Sequence, residues 1–72
     1  MSRTTDNIIR IVKAGGNMNV NGENMTTDNM IRVAKAAVVS GSTVTFMGLH
    51  KHTADNLIRI VKAGGNHVIV QD

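Results

Sequence analysis

His50, Lys51 and His52 form a tight basic cluster, and a third histidine stands at His67. An H-x-H pair with one more imidazole is a donor set for zinc, which takes neutral ring nitrogens in a tetrahedral array. The same cluster, together with Arg3 and Asn24, lies beside threonines that read as helix caps at Thr4, Thr26 and Thr53. Free amides at the start of a helix, flanked by basic side chains, suit a phosphate or a carboxylate. A third set pairs Asp6 with Arg10, Asp28 with Arg32 and Asp55 with Arg59, each four residues apart, with Lys13, Lys35 and Lys62 one turn further on. Such pairs either face each other along one helix or form ladders across adjacent helices. The cations would then make a basic stripe of the kind that tracks nucleic acid, although no aromatic ring is interleaved on which bases could stack. Ser40 and Ser42 flank Gly41 in a turn. A serine nucleophile needs a positioned base, and the aspartates that could supply one read as first-turn groups of helices. No catalytic residue is assigned, and the chain is read as non-enzymatic.

The elements that must position these groups are written three times. TTDNIIRIVKAGG at 4–16 returns as TADNLIRIVKAGG at 53–65, and TTDNMIRVAKAAV at 26–38 lies between them. In the first copy Thr4 is a strong N-cap and Asp6 complements the helix dipole. Ile8, Ile9, Ile11 and Val12 fall on one broad arc at helical spacing, opposite Asp6, Arg10 and Lys13. Gly15 and Gly16 supply the stop. The same pattern predicts that Met30, Ile31, Val33 and Ala34 are buried in the second copy, and Leu57, Ile58, Ile60 and Val61 in the third.

Strand-like segments follow each helix, at Asn17–Asn21, Thr43–Met47 and His67–Gln71. The first two alternate apolar with polar residues, the period of a strand with one buried face. The third carries an unbroken run, Val68-Ile69-Val70, which reads as a strand covered on both faces. The order is α-β-α-β-α-β. Strands joined by helical crossovers are parallel and right-handed, so the expected fold is a three-stranded parallel α/β sheet with its helices on one face. It is a single domain of three repeats, at about 4–25, 26–52 and 53–72. The repeat steps from Asp6 to Asp28 to Asp55 are similar in size to those of short α/β solenoids such as leucine-rich repeats, whose consensus is missing. The ending AGGNHVIV resembles the helix-to-strand turn common in α/β barrels, a generic motif that carries no function.

This topology sorts the candidate chemistry. All helix N-termini emerge at the edge where the strands end, which is where α/β proteins usually bind ligands. The expected anion-binding residues there are Arg3, Thr4, Thr26, Lys51 and Thr53. His67 falls at the opposite edge from His50 and His52, so no metal site is assigned, and no cofactor is expected.

The 72 residues include no cysteine and one aromatic residue, Phe46. A chain this short buries only about 60% of its unfolded surface, and without disulfides or thiolate metal sites it gains most from partner subunits. The net charge of +3 permits an acidic partner without requiring one. No apolar stretch reaches the length of a membrane span or forms a signal-peptide core, so a cytoplasmic protein without a membrane partner is expected. The reading that follows is a self-associating structural or protein-interaction module, a homodimer or larger homo-oligomer. Its expected contact is Val68, Ile69 and Val70, with strand three pairing with its twofold mate to bury Val68 and Val70 on the bare face of the sheet. The alternative is a small basic module that binds nucleic acid or a phosphate-type anion at the helix N-terminal edge. A third class is a barrel-like ring of several copies, with a site formed only between subunits.

Overall fold

The computed structural model describes residues 4–71, so Arg3 of the expected anion edge lies outside the described residues. Helices α1 (Thr5–Lys13), α2 (Thr27–Ser40) and α3 (Ala54–Gly64) alternate with strands β1 (Met18–Asn21), β2 (Val44–Met47) and β3 (Val68–Val70). A 3-10 turn, Gly65–His67, precedes the last strand. The sheet order is β1-β2-β3 and both pairings are parallel. This is the expected α/β architecture.

The repeated threonines start the helices. Each of Thr4, Thr26 and Thr53 is extended, and its hydroxyl oxygen accepts from the amide three residues on, at Asn7, Asn29 and Asn56, over 3.2–3.3 Å. That satisfies one of the amides a helix start leaves open. The ends differ between copies. Copy one stops at Gly15, whose φ of 101° only glycine adopts without strain. Copy two has Ala37 and Val38 where copy one has its glycines, so α2 runs on to Ser40 and is capped by the left-handed Gly41. In copy three α3 absorbs Gly64 and passes into the 3-10 turn.

That turn changes the register. Asn17 alone separates the AGG of copy one from β1, whereas both Asn66 and His67 separate the AGG of copy three from β3. Met18, Val44 and Val68 are therefore partners across the sheet, and His67 ends the turn instead of beginning the strand. Side chains alternate faces along a strand, so this single residue decides which of them enter the core.

One face of the sheet carries the helices. Val20, Val44, Phe46 and Val68 on the strands pack with Ile8, Val12, Met30, Val33 and Ile60 on the helices in one core. The other face presents Asn19, Asn21, Met47 and Ile69, all exposed. Two expectations are corrected here. Val68 and Val70 point toward the helices and Ile69 points to the bare face, so β3 is not covered on both sides, and of its three residues a twofold partner on that face would meet Ile69 alone. Ile58 and Val61 are not buried, because among the described residues no helix lies on the outer flank of α3. Among the described residues, no helix is long and apolar enough to cross a membrane.

Candidate functional site

The residues that could carry chemistry are mostly occupied in holding loops. The Nε2–H of His52 donates to the carbonyl of Gly22 at 2.8 Å, and the Nδ1–H of His67 donates to the carbonyl of Ser42 at 2.9 Å. These contacts sit at opposite ends of the sheet, since Gly22 follows β1 and Ser42 precedes β2. Each ties one repeat to its neighbour. Among the described residues, no three His, Cys, Asp or Glu side chains are grouped to hold a metal ion. Ser42 is buried, and its hydroxyl donates to the carbonyl of Val12 at 3.1 Å while accepting from Ser40 at 2.9 Å. Among the described residues no His, Asp or Glu side chain bonds that hydroxyl, which joins the end of α1 to the start of β2.

At the anion edge, Thr4, Thr26 and Thr53 spend their hydroxyl oxygens on their own helices. Lys51 reaches Glu23 at 3.2 Å. A carboxylate beside the one lysine of this edge lowers its pull on an anion. His50 is exposed and Asn24 lines a cleft described below.

The Asp and Arg residues are arranged as a ladder across helices. Arg32 on α2 reaches Asp6 on α1 at 3.0 Å, and Arg59 on α3 reaches Asp28 on α2 at 3.4 Å. Each arginine is also oriented by the asparagine three residues before it: Arg10 by Asn7, Arg32 by Asn29 and Arg59 by Asn56. The ladder has two open ends. Among the described residues Arg10 on α1 has no acidic partner, and Asp55 on α3 has no basic one.

The apolar residues follow the same gradient. Ile11, Val33 and Ile60 are equivalent positions on the side of each helix that faces the preceding helix. Val33 and Ile60 are fully buried, while Ile11, with no helix before it among the described residues, is half-buried. Val12, Ala34 and Val61 face the following helix. Val12 and Ala34 are fully buried, and Val61 is 42% exposed. Ile9 and Ile31 are half-buried, while Ile58 is 51% exposed. Leu57 is only half-buried where Ile8 and Met30 are enclosed.

Among the described residues, both outer strands have a free edge. Met18 donates its amide to Thr43, just before β2, and Gly22 donates to Met47 of β2, so the alternation of a parallel ladder turns the amides of Asn19 and Asn21 outward. Gln71 donates to Phe46, which turns the amides of Val68 and Val70 outward on the other side. A cleft of about 620 Å³ borders the free edge of β1, lined by Thr5 and Ile8 of α1 and by all four strand residues. Consecutive strand residues point to opposite faces. A cleft that touches all four therefore runs along the edge of the strand and not over one face.

Sequence reasoning singled out β3 and missed the flank of α3. The signal was present: copies one and three are nearly identical, and two like helices at the two ends of a layer cannot both be covered.

No family model matches the chain, and no curated protein or solved structure is significantly similar to it.

Proposed function

We propose that this chain is a non-catalytic module that self-associates, extending its helix layer and its sheet into a neighbouring copy. The observation that carries this reading is the outer flank of α3. Val61 is 42% exposed there, while the matching Val12 and Ala34 are fully buried, and Ile58 is 51% exposed, while the matching Ile9 and Ile31 are half-buried. Burying a large aliphatic side chain contributes about 1.5–3 kcal/mol when complete, so covering two half-exposed ones adds about 2 kcal/mol. That is a large increment for a chain whose own core is small. The free edges of β1 and β3 support the same reading, because unpaired strand edges pair with other chains unless blocked. Val68, Ile69 and Val70 contain no proline or charge to block the second of them.

Sedimentation velocity at micromolar concentration tests the reading. The wild type is expected to run above its monomer mass of 7.7 kDa. Ile58→Glu with Val61→Glu is expected to return it to monomer with its circular dichroism unchanged, because both positions tolerate water in the isolated chain. A wild type that stays monomeric, with β3 amides exchanging as an exposed edge, ends the reading.

A further inference from the structure

We infer that copies join head to tail, the β3 edge of one copy entering the cleft beside β1 of the next and pairing with it in parallel. The inference rests on the self-association reading and specifies its geometry. It replaces a twofold pairing of β3 with β3.

Three sets of observations point the same way. The first is apolar. The side of α3 that faces outward is the side that buries Val12 and Ala34 in the other two helices, against the helix that follows each of them. The outward side of α1, around Ile11, is the side that buries Val33 and Ile60 against the helix before. These two unfinished flanks are complementary to each other, and neither is complementary to itself. A heterologous contact satisfies both at once, whereas a twofold contact at α3 leaves α1 open.

The second is charge. Within the chain each rung joins the Asp of one helix to the Arg of the next. Among the described residues, the unpaired ends are Asp55 on the α3 flank and Arg10 on the α1 flank. Placing α3 of one copy beside α1 of the next continues the ladder as Asp55 to Arg10. Placing α3 against α3 sets Asp55 near Asp55. Exposed ion pairs contribute little affinity, about 0.2–1 kcal/mol, but like charges reject a wrong partner and complementary ones fix the register.

The third is the sheet. α1 stands before β1 as α2 stands before β2, so the position occupied in the sheet by β1 relative to α2 is empty relative to α1. The cleft of about 620 Å³ lies there, walled by Thr5 and Ile8 and by the edge of β1. Repeating the internal register would set Val68 beside Met18, Ile69 beside Asn19 and Val70 beside Val20. Val68 and Val70 would then stay on the helix side and Ile69 on the bare face, as they already lie.

Two variants, each closing one end, test the geometry. Asn19→Pro closes the β1 edge, where the lost amide points outward and serves no internal bond. Ile58→Glu with Val61→Glu closes the α3 flank. Head-to-tail joining predicts that each variant alone runs as a monomer, and that an equimolar mixture forms a one-to-one heterodimer by native mass spectrometry. A wild type that is itself monomeric overturns both this inference and the reading beneath it. A wild type that associates, with Asn19→Pro alone still forming homodimers, overturns the head-to-tail geometry and leaves self-association standing. If circular dichroism shows either variant unfolded, a mixed-label wild-type sample decides by isotope-filtered NOEs. Intermolecular contacts from Ile69 to Asn19 support the inference, and contacts of β3 with β3 overturn it.

Discussion

Arg32 on α2 reaches Asp6 on α1 at 3.0 Å, although Asp28 stands four residues before it on its own helix. Asp28 in turn receives Arg59 from α3 at 3.4 Å. The repeated Asp and Arg therefore act between helices, and each rung records which helix follows which.

Because these rungs are exposed, their expected worth is small. Arg32→Ala and Arg59→Ala should each lower stability by less than about 1 kcal/mol, and the coupling between Arg32 and Asp6 should shrink as salt is raised. A double-mutant cycle by urea denaturation at low and high salt measures this. A coupling of several kcal/mol that ignores salt would contradict the open geometry of the ladder.

Ile58 and Ile60 are two residues apart and have opposite expected effects. Ile60 is fully buried, so Ile60→Ala should cost about 2–5 kcal/mol and can unfold a domain this small. Ile58→Ala should leave the stability of the monomer within about 0.5 kcal/mol, the range of surface substitutions, and lower only the association constant. Thermal melts at several protein concentrations separate the two. Equal losses at high dilution would mean that Ile58 faces the core.

Gly64 is buried where α3 meets both the sheet and α2. A β-carbon there would overlap Val68 and come within 3.2 Å of Ala34. Its φ of −104° is open to any residue, so the demand is for space and not for backbone freedom. Gly64→Ala should therefore destabilise by about 1–3 kcal/mol, the usual cost of overpacking, despite the gain in helix propensity. A more stable Gly64→Ala in urea would show that β3 can shift away freely.

Phosphate offers a direct check on the alternative reading. The amides of Asn7, Asn29 and Asn56 already donate to threonine, and Lys51 already faces Glu23. Titration with inorganic phosphate is expected to move the amide resonances at Thr4, Thr26 and Thr53 no more than an equal ionic strength of chloride. Saturable shifts that Lys51→Ala abolishes would restore the anion edge as a binding site.

Much of the fold was legible because it rests on local signals. The threonine caps, the glycine stops and the helical and strand periods each act within a few residues, and their threefold repetition made the parallel order unambiguous. Val20, Val44 and Phe46 were read correctly as core from alternation alone. Ile58, Val61 and β3 were misread for one reason: in each case burial depends on a neighbour. Ile58 has the same sequence context as Ile9, but Ile9 has α2 beside it and among the described residues no helix follows α3.

The sequence by itself determined which segments are helices and which are strands, where each helix begins, and that the copies stack in parallel, because propensity, capping and periodicity are properties of adjacent residues. Only the tertiary structure decided which flank of each helix is covered, that the charges bridge helices, and that a 3-10 turn at Gly65–His67 shifts β3 so that Ile69 faces outward. Those outcomes depend on packing between repeats, and among the described residues that packing stops at α1 and β1 on one side and at α3 and β3 on the other.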